Sequence, residues 1–309
     1  MKRYVIRRIL QLIPVLLGVS ILTFFLSYLA PSDPAQILLN QMGIAPTQEL
    51  LEKTREQMGL TQPVPVQYIN WLGGVIHGDF GTSYKYNYPV FDVITSKLPA
   101  TLKLAGAAML LTILLALPLG ILSSVYKNKL ADYLIRIFSL FGISMPSFWL
   151  GLLLIYFFTY RLKLLPIISN GAAVGIILPA VTLAFSMVGK YVRQLRAAIL
   201  EEIHKDYVQG AYARGVSANK ILFFHVLPNV LVPIITMLGL SVGGLLGGAA
   251  IVETIFVWPG VGEMVVDAIF NRDYPLIQGY VIWMALIYVL TNLIVDIIYT
   301  MFNHEIKLQ

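Results

Sequence analysis

The chain contains no cysteine, and for its 309 residues it carries very little charge, with Asp, Glu, Lys and Arg making up only 12%. Soluble domains hold about 25%. The missing thiols exclude disulfides, thiolate metal ligands and thiol nucleophiles; they leave the compartment open. Histidine is scarce too. His77, His204, His225 and His304 are scattered and lie outside the apolar stretches, so no zinc-type spacing exists. A phosphate-cradling loop is also missing: the nearest approach ends at Gly189-Lys190, but Ala184 stands where the first glycine belongs and Tyr191 where Ser or Thr should follow. Any nucleotide hydrolysis coupled to this chain must come from another chain.

What the chain has is apolar length. It is 58% hydrophobic, with a mean hydropathy of +0.77, the composition of a polytopic membrane protein. A bilayer core takes roughly 20 apolar residues per helix. Six stretches qualify, near 9–29, 100–126, 134–159, 174–195, 229–252 and 278–302, and the expected fold is all-α with six transmembrane helices. An even number puts both termini on one side. Fourteen of the 22 Lys and Arg fall at the N-terminus, in the 127–136 loop, in the 190–228 region and in the tail, which makes those parts cytoplasmic by the positive-inside rule. Arg161 and Lys163 run mildly against it. The pI of about 9.3 then reflects topology and calls for no nucleic-acid partner. Residues 1–29 read as an N-terminal tail and a retained first helix. Their apolar run is too long for a signal peptide, and Tyr28-Leu29-Ala30 followed by Pro31 makes a poor cleavage site.

Residues 30–99 form an extracytoplasmic segment with short helices, 100–302 a five-helix core, and 303–309 a cytoplasmic tail. Within 30–99, Gln48–Met58 has helical spacing, a Glu49/Lys53 pair and Gly59 as a stop, and Val66–Ile76 is a second amphipathic run after Pro63 and Pro65. His77-Gly78-Asp79-Phe80-Gly81 reads as a glycine turn rather than a catalytic loop.

Ionisable residues are rare within the spans. Asp296 is the candidate, while Lys103 and Lys190 can snorkel. One carboxylate makes no proton relay, so a structural role is the stronger reading, and no internal repeat of the secondary-transporter kind is visible. The fifth span carries Gly239, Gly243, Gly244, Gly247 and Gly248, a small-xxx-small face suited to close helix packing or to a sliding, gated path. The third carries Met145-Pro146-Ser147-Phe148-Trp149, a proline kink. Met145, Ser147, Phe148, Met237, Gly243 and Gly247 are the candidates for lining a translocation path.

One polar segment, 201–228, interrupts the apolar second half. It offers two helix-compatible runs, 204–214 and 217–227, with Gly215 between them as a turn residue and Ser217 as an N-cap. By itself it fits a docking helix or an ordinary solvated hairpin. Its spacing resembles the coupling loop of ABC-importer permeases, written E-A-A, three residues, Gly, nine residues, I-x-L-P. Here Gln209, Gly210 and Ala211 take the first three positions, Gly215 and Leu227-Pro228 match, and His225 replaces the isoleucine.

The resemblance runs the full length, to the B-type permease subunit of the dipeptide/oligopeptide/nickel ABC importers. It rests on Arg7-Arg8, Ala30–Pro34, Gly78–Gly81, Leu98–Leu102, Met145–Phe148, Glu253–Gly262, Asn271–Pro275 and Asp296. The tail Asn303–Lys307 departs from the usual Asp-Pro-Arg-Ile-Arg. The resemblance implies a type I ABC importer permease fold in a multi-pass bacterial inner-membrane protein. It also implies a homologous C-type permease, two ATPase subunits that bind ATP and Mg, and an extracytoplasmic solute-binding protein, with no cofactor, metal or catalytic residue in this chain. Tyr207, Gln209, Gly210, Ala211, Arg214, Gly215, Leu227 and Pro228 would couple to the ATPases. Asp79, Trp258, Asn271, Arg272 and Asp273 would belong to the extracytoplasmic loops or the binding-protein dock. The Leu98–Leu102 and Phe256–Gly262 segments lean toward the nickel-type members; without histidine or cysteine in the spans, nickel would pass as a chelate or over weak contacts to Met145, Ser147 and Met237. An ion-coupled transporter or channel is the alternative, and it predicts gradient-driven uptake by this chain alone.

Overall fold

The computed structural model describes residues 2–29, 33–166 and 173–302. Calls that fall on Ala30–Ser32 and on the tail from Asn303 lie outside the described residues. Helix dominates, and the one isolated β-bridge among the described residues pairs Thr82 with Pro89.

Helix α1 (Lys2–Tyr28) opens the chain. Three short helices follow. The Asp33 carboxylate caps α2 (Pro34–Gln41) by accepting from the Ala35 N–H, and Thr47 caps α3 (Gln48–Gln57) through Leu50. Gly59, at φ +69, ends α3 as expected, and α4 spans Val64–Ile76. Helix α5 (Val90–Val125) is 36 residues long, about 54 Å at the usual rise, which is well beyond a hydrocarbon core of ~30 Å. It therefore starts ten residues before the expected boundary at 99/100. Val90, Val93 and Ile94 are buried in a side-chain cluster, and that burial stabilises helix outside any bilayer-length window.

The expected third span is broken. Helix α6 (Leu130–Ser144) and α7 (Ser147–Leu154, running into a π-helical turn, Ile155–Arg161) meet at 106°. Pro146 forces Met145 out of the α region, and both residues are extended, with ψ 127 and 135. A 3₁₀ turn, Ala173–Ile176, leads into α8 (Ile177–Glu202). Helix α9 (Asp206–Ala213) follows; α10 (Ala218–Ile221) then continues through a π-helical turn, Leu222–Val226, into α11 (Leu227–Gly248). The fifth span thus begins at Ala218 and not at 229, so the second run of the polar segment forms the first turns of a membrane helix. Helices α12 (Ala250–Ile255), α13 (Val261–Phe270) and α14 (Tyr274–Phe302) complete the described residues. Among the described residues five helices are long and apolar enough to cross a membrane, six if the bent pair counts as one span.

The chain divides into two compact units, Met1–Thr101 with Pro259–Val289 and Leu102–Trp258 with Leu290–Gln309. In the first, α5, α13 and α14 share a core of Val90, Ile94, Val261, Met264 and Leu276. A Cβ on Gly279 would sit 2.4 Å from Val90, so only glycine allows that approach. Helix α1 meets α4 through Phe24, whose ring lies 5.4 Å from that of Tyr68 and 5.7 Å from that of Trp71.

In the second unit α8 is the central element. Cβ atoms on Gly142 and Gly189 would lie 2.7 Å from the Phe185 carbonyl and 2.6 Å from the Ser139 carbonyl, so α6 and α8 touch backbone to backbone, as membrane helices with small residues do. Asp132, fully buried on α6, accepts from Arg196 Nε (2.8 Å) and Nη2 (2.7 Å), from Ser123 Oγ (2.6 Å) and from the Asn128 N–H (2.9 Å). Asp296, the carboxylate expected within a span, is half-buried on α14; Asp132 was not among the expected residues. A Cβ on Gly239 would meet Val295 at 2.4 Å, which favours packing over sliding at that glycine.

Candidate functional site

The polar segment after α8 is built around Glu202, the last residue of that helix. Its carboxylate accepts from Tyr207 Oη at 2.5 Å and Asn229 Nδ2 at 3.4 Å, and pairs with Lys205 Nζ at 2.7 Å. Asn229 also donates to Tyr207 Oη (2.8 Å) and to the His225 carbonyl (3.1 Å). One carboxylate thereby joins the end of α8, the start of α9 and the first turn of α11. Burial first, and then the hydrogen bond to Glu202, push the Tyr207 phenol above its ordinary value, which keeps it a neutral donor. The hydrogen bond to Glu202 raises Lys205. Glu202, Lys205 and Asn229 were not among the expected site residues. A carboxylate at the last helical position before a basic and aromatic turn was the only signal that could have found them.

Helix α9 sits on this anchor. Val208 and Ala211 are buried, while Tyr207, Gln209, Tyr212, Arg214 and Gly215 face outward; Gln209 Nε2 donates to the Ile203 carbonyl at 3.0 Å. The helix closes in a Schellman turn. The Gly215 N–H donates to the Tyr212 carbonyl (2.9 Å), and the Val216 N–H reaches back to Ala211 (3.2 Å). Gly215 has φ +79, and a Cβ there would meet nothing within 4 Å; the need for glycine is conformational, not steric. Ser217 stands at the N-cap of α10 as expected, but its side chain makes no capping bond. Gly210 is half-buried, Leu227 is buried and Pro228 is exposed in the first turn of α11.

The first unit holds a second polar cluster. Asp273 is fully buried and accepts from Ser83 Oγ (2.5 Å), the Lys85 N–H (3.1 Å) and the Leu276 N–H (3.3 Å). Beside it, Asp267 pairs with the Lys85 ammonium and accepts from Tyr86 Oη (3.2 Å) and Asn271 Nδ2 (3.1 Å). Burial, then the charge of Asp267, push the Tyr86 phenol up to about 12. Of the two roles expected for Asp273, loop or dock, the geometry describes the loop: the enclosed carboxylate binds its own surroundings. Trp258 is 5% exposed. Asp79 and Arg272 are exposed and Asn271 is half-buried. Asp79 caps its own turn, accepting from the Gly81 N–H at 2.8 Å.

The expected path residues lie at the end of α6, on α7 and on α11. Met145 and Ser147 flank the break between α6 and α7, and Phe148 is 46% exposed. The Met237 carbonyl accepts from the buried Tyr191 hydroxyl at 2.7 Å. Gly243 is buried, and the surroundings of Gly247 lie outside the described residues.

Comparison with known proteins places these features. Residues 1–105 match the N-terminal family model of binding-protein-dependent transport system membrane components, and residues 116–308 match the model of binding-protein-dependent transport system inner membrane components. The chain is 40% identical to a probable D,D-dipeptide transport system permease protein of Escherichia coli (strain K12), over 93% of this chain and 92% of that one. It is 37% identical to a probable peptide ABC transporter permease protein of Sinorhizobium fredii, over 98% and 99% of the two chains. It is also 37% identical to a glutathione transport system permease protein of Escherichia coli (strain K12), over 99% of each. Among solved structures, an inward-facing methionine ABC transporter superposes with a TM-score of 0.55 at 15% identity, over 68% of this chain and 96% of the other. An amino acid ABC transporter superposes at 0.54 and 18%, over 70% and 94%. At such identities the two structures speak for the fold alone.

Proposed function

This chain belongs to the family of binding-protein-dependent transport system inner membrane components, and we propose that it is the B-type permease subunit of an ABC importer for small peptides. It works with a homologous C-type permease, two ATPase subunits that bind ATP and Mg, and an extracytoplasmic solute-binding protein. The relatives named above carry peptide and glutathione names, so the earlier lean toward nickel gives way to peptides. The observation that carries the reading is the build of α9: a short helix with one exposed face, ended by an obligate glycine turn, and tied through Glu202 and Tyr207 to the ends of two membrane helices. A push on α9 by an ATPase is transmitted to α8 and α11 because one carboxylate holds all three, and the membrane helices rock between access states.

The test is reconstitution. The complete complex in liposomes should take up labelled peptide only with ATP and the binding protein both present. Uptake by this chain alone, driven by an ion gradient, would overturn the reading. Orientation is tested in the same chain, which has no cysteine. Cysteines placed one at a time at Gln57 and Asn271 should react with an impermeant reagent in intact cells, and one at Asn219 should not.

A further inference from the structure

A cavity of about 830 Å³ opens between α6 and α8, with Tyr133, Arg136, Lys190, Arg193, Gln194 and Arg196 on its walls beside apolar residues of α6. Four cations line it, and only Arg196 has a carboxylate partner among the described residues, the buried Asp132. Arg136 lies over the Tyr133 ring, 5.7 Å from its centroid, and Arg136, Lys190 and Arg193 are all exposed to the cavity side or solvent. The side-chain oxygen of Gln194 is buried and has no hydrogen-bond partner among the described residues. Lys190 and Arg193 precede the end of α8 by about 18 Å and about 14 Å at the usual helical rise, so the group lies on the second half of α8 itself and not on the segment that follows it.

Cations without carboxylate partners on the wall of a cavity in a membrane protein face water or an anionic ligand, and such groups mark substrate paths. The donors here call for an anion. The Gln194 oxygen calls for the reverse, an N–H from the ligand, because a buried acceptor left without a partner costs stability. A simple inorganic anion supplies acceptors only, whereas a small peptide supplies a carboxylate and N–H donors on one molecule. A lipid headgroup bearing O–H or N–H groups does so too, and the peptide is chosen because the relatives named above carry peptide names.

We propose that this cavity is a station of the translocation path that holds a peptide by its carboxylate, on Lys190 and Arg193 with Arg136 at the rim, and by an N–H on Gln194. The assignment rests on the peptide-importer reading above and adds to it the residues and the recognised group.

The experiment uses the complete complex with its binding protein in phosphatidylcholine liposomes, with labelled glutathione and labelled alanyl-alanine as probes. The readout is peptide moved per ATP hydrolysed, which does not depend on how much complex has folded. Joint substitution Lys190→Gln and Arg193→Gln should lower it at least about tenfold, the worth of one charge-assisted hydrogen bond. Arg193→Lys alone, which keeps the charge, should stay within about threefold of the parent. Equal transport by parent and double variant would overturn the station and leave the importer reading standing. Failure of the parent complex to move either peptide would overturn both. A defect that appears only when phosphatidylglycerol is added to the liposomes would show that the cations hold a lipid headgroup, and would also overturn the assignment.

Discussion

Asp273 and Glu202 each gather the polar groups of one loop, but they draw on different donors. Asp273 is fully enclosed and takes two of its three hydrogen bonds from backbone N–H groups, those of Lys85 and Leu276. Glu202 takes all of its bonds from side chains, Tyr207, Lys205 and Asn229, and two of these are well exposed: Tyr207 by 41% and the Lys205 side chain by 53%. Backbone donors cannot swing away without unfolding the loop, whereas side-chain donors can change rotamer. The first cluster is therefore a staple. The second can yield and re-form as a partner presses on α9, which is what a coupling element needs.

The contrast is broken most directly at the staple. Asp273→Ala leaves three enclosed donors without an acceptor, and the expected loss is about 3 kcal/mol or more, seen as a lower thermal midpoint of the detergent-solubilised protein and as poor yield. A fully stable variant would mean that Asp273 is no staple. Next in size is Gly215→Val, which puts a β-branched residue at φ +79 and costs on the order of 1–2 kcal/mol locally. Transport should fall severely while the subunit still inserts, and Gly215→Asn, which tolerates that conformation better, should fall less. Normal uptake by the valine variant would remove the coupling role.

Smaller still is Tyr207→Phe, which deletes the hydroxyl between Glu202 and Asn229 at about 1 kcal/mol. The expected outcome is intact assembly with weaker stimulation of ATP hydrolysis by the loaded binding protein; a change in thermal midpoint without a change in stimulation would make the second cluster another staple. Finally, Tyr86 sharpens the first cluster by pH. Its folded pKa is raised to about 12 from an ordinary 10.0, so its contribution is fully present below pH 10 and is lost as pH rises from 10 towards 12. Alkaline unfolding followed at the tyrosinate absorbance should show this loss, and Tyr86→Phe should abolish it.

Much of this architecture was legible from residue order alone. The number of spans, the short helix Gln48–Gln57 with its glycine stop, and the turn at Gly215 follow from apolar length, helical spacing and the rarity of positive φ, all of which are properties of contiguous residues. The start of α5 at Val90 was not legible, since it depends on α13 and α14 supplying the surface that Val90 and Ile94 bury. The depth of the break at Pro146 was underestimated for a like reason. Proline dictates that the helix is interrupted, but the 106° angle is fixed by what the two halves pack against. The polar clusters were legible least. Asp273 reads as one charge in a loop until Ser83, 190 positions away, is brought to 2.5 Å, and Asp132 reads as a loop acid until Arg196 closes on it from α8. Composition and spacing determine which segments enter the membrane and where the chain turns, because those choices rest on local transfer energy and backbone geometry. Tertiary structure alone decides which polar groups meet, because a buried carboxylate is satisfied by donors that the sequence places far away.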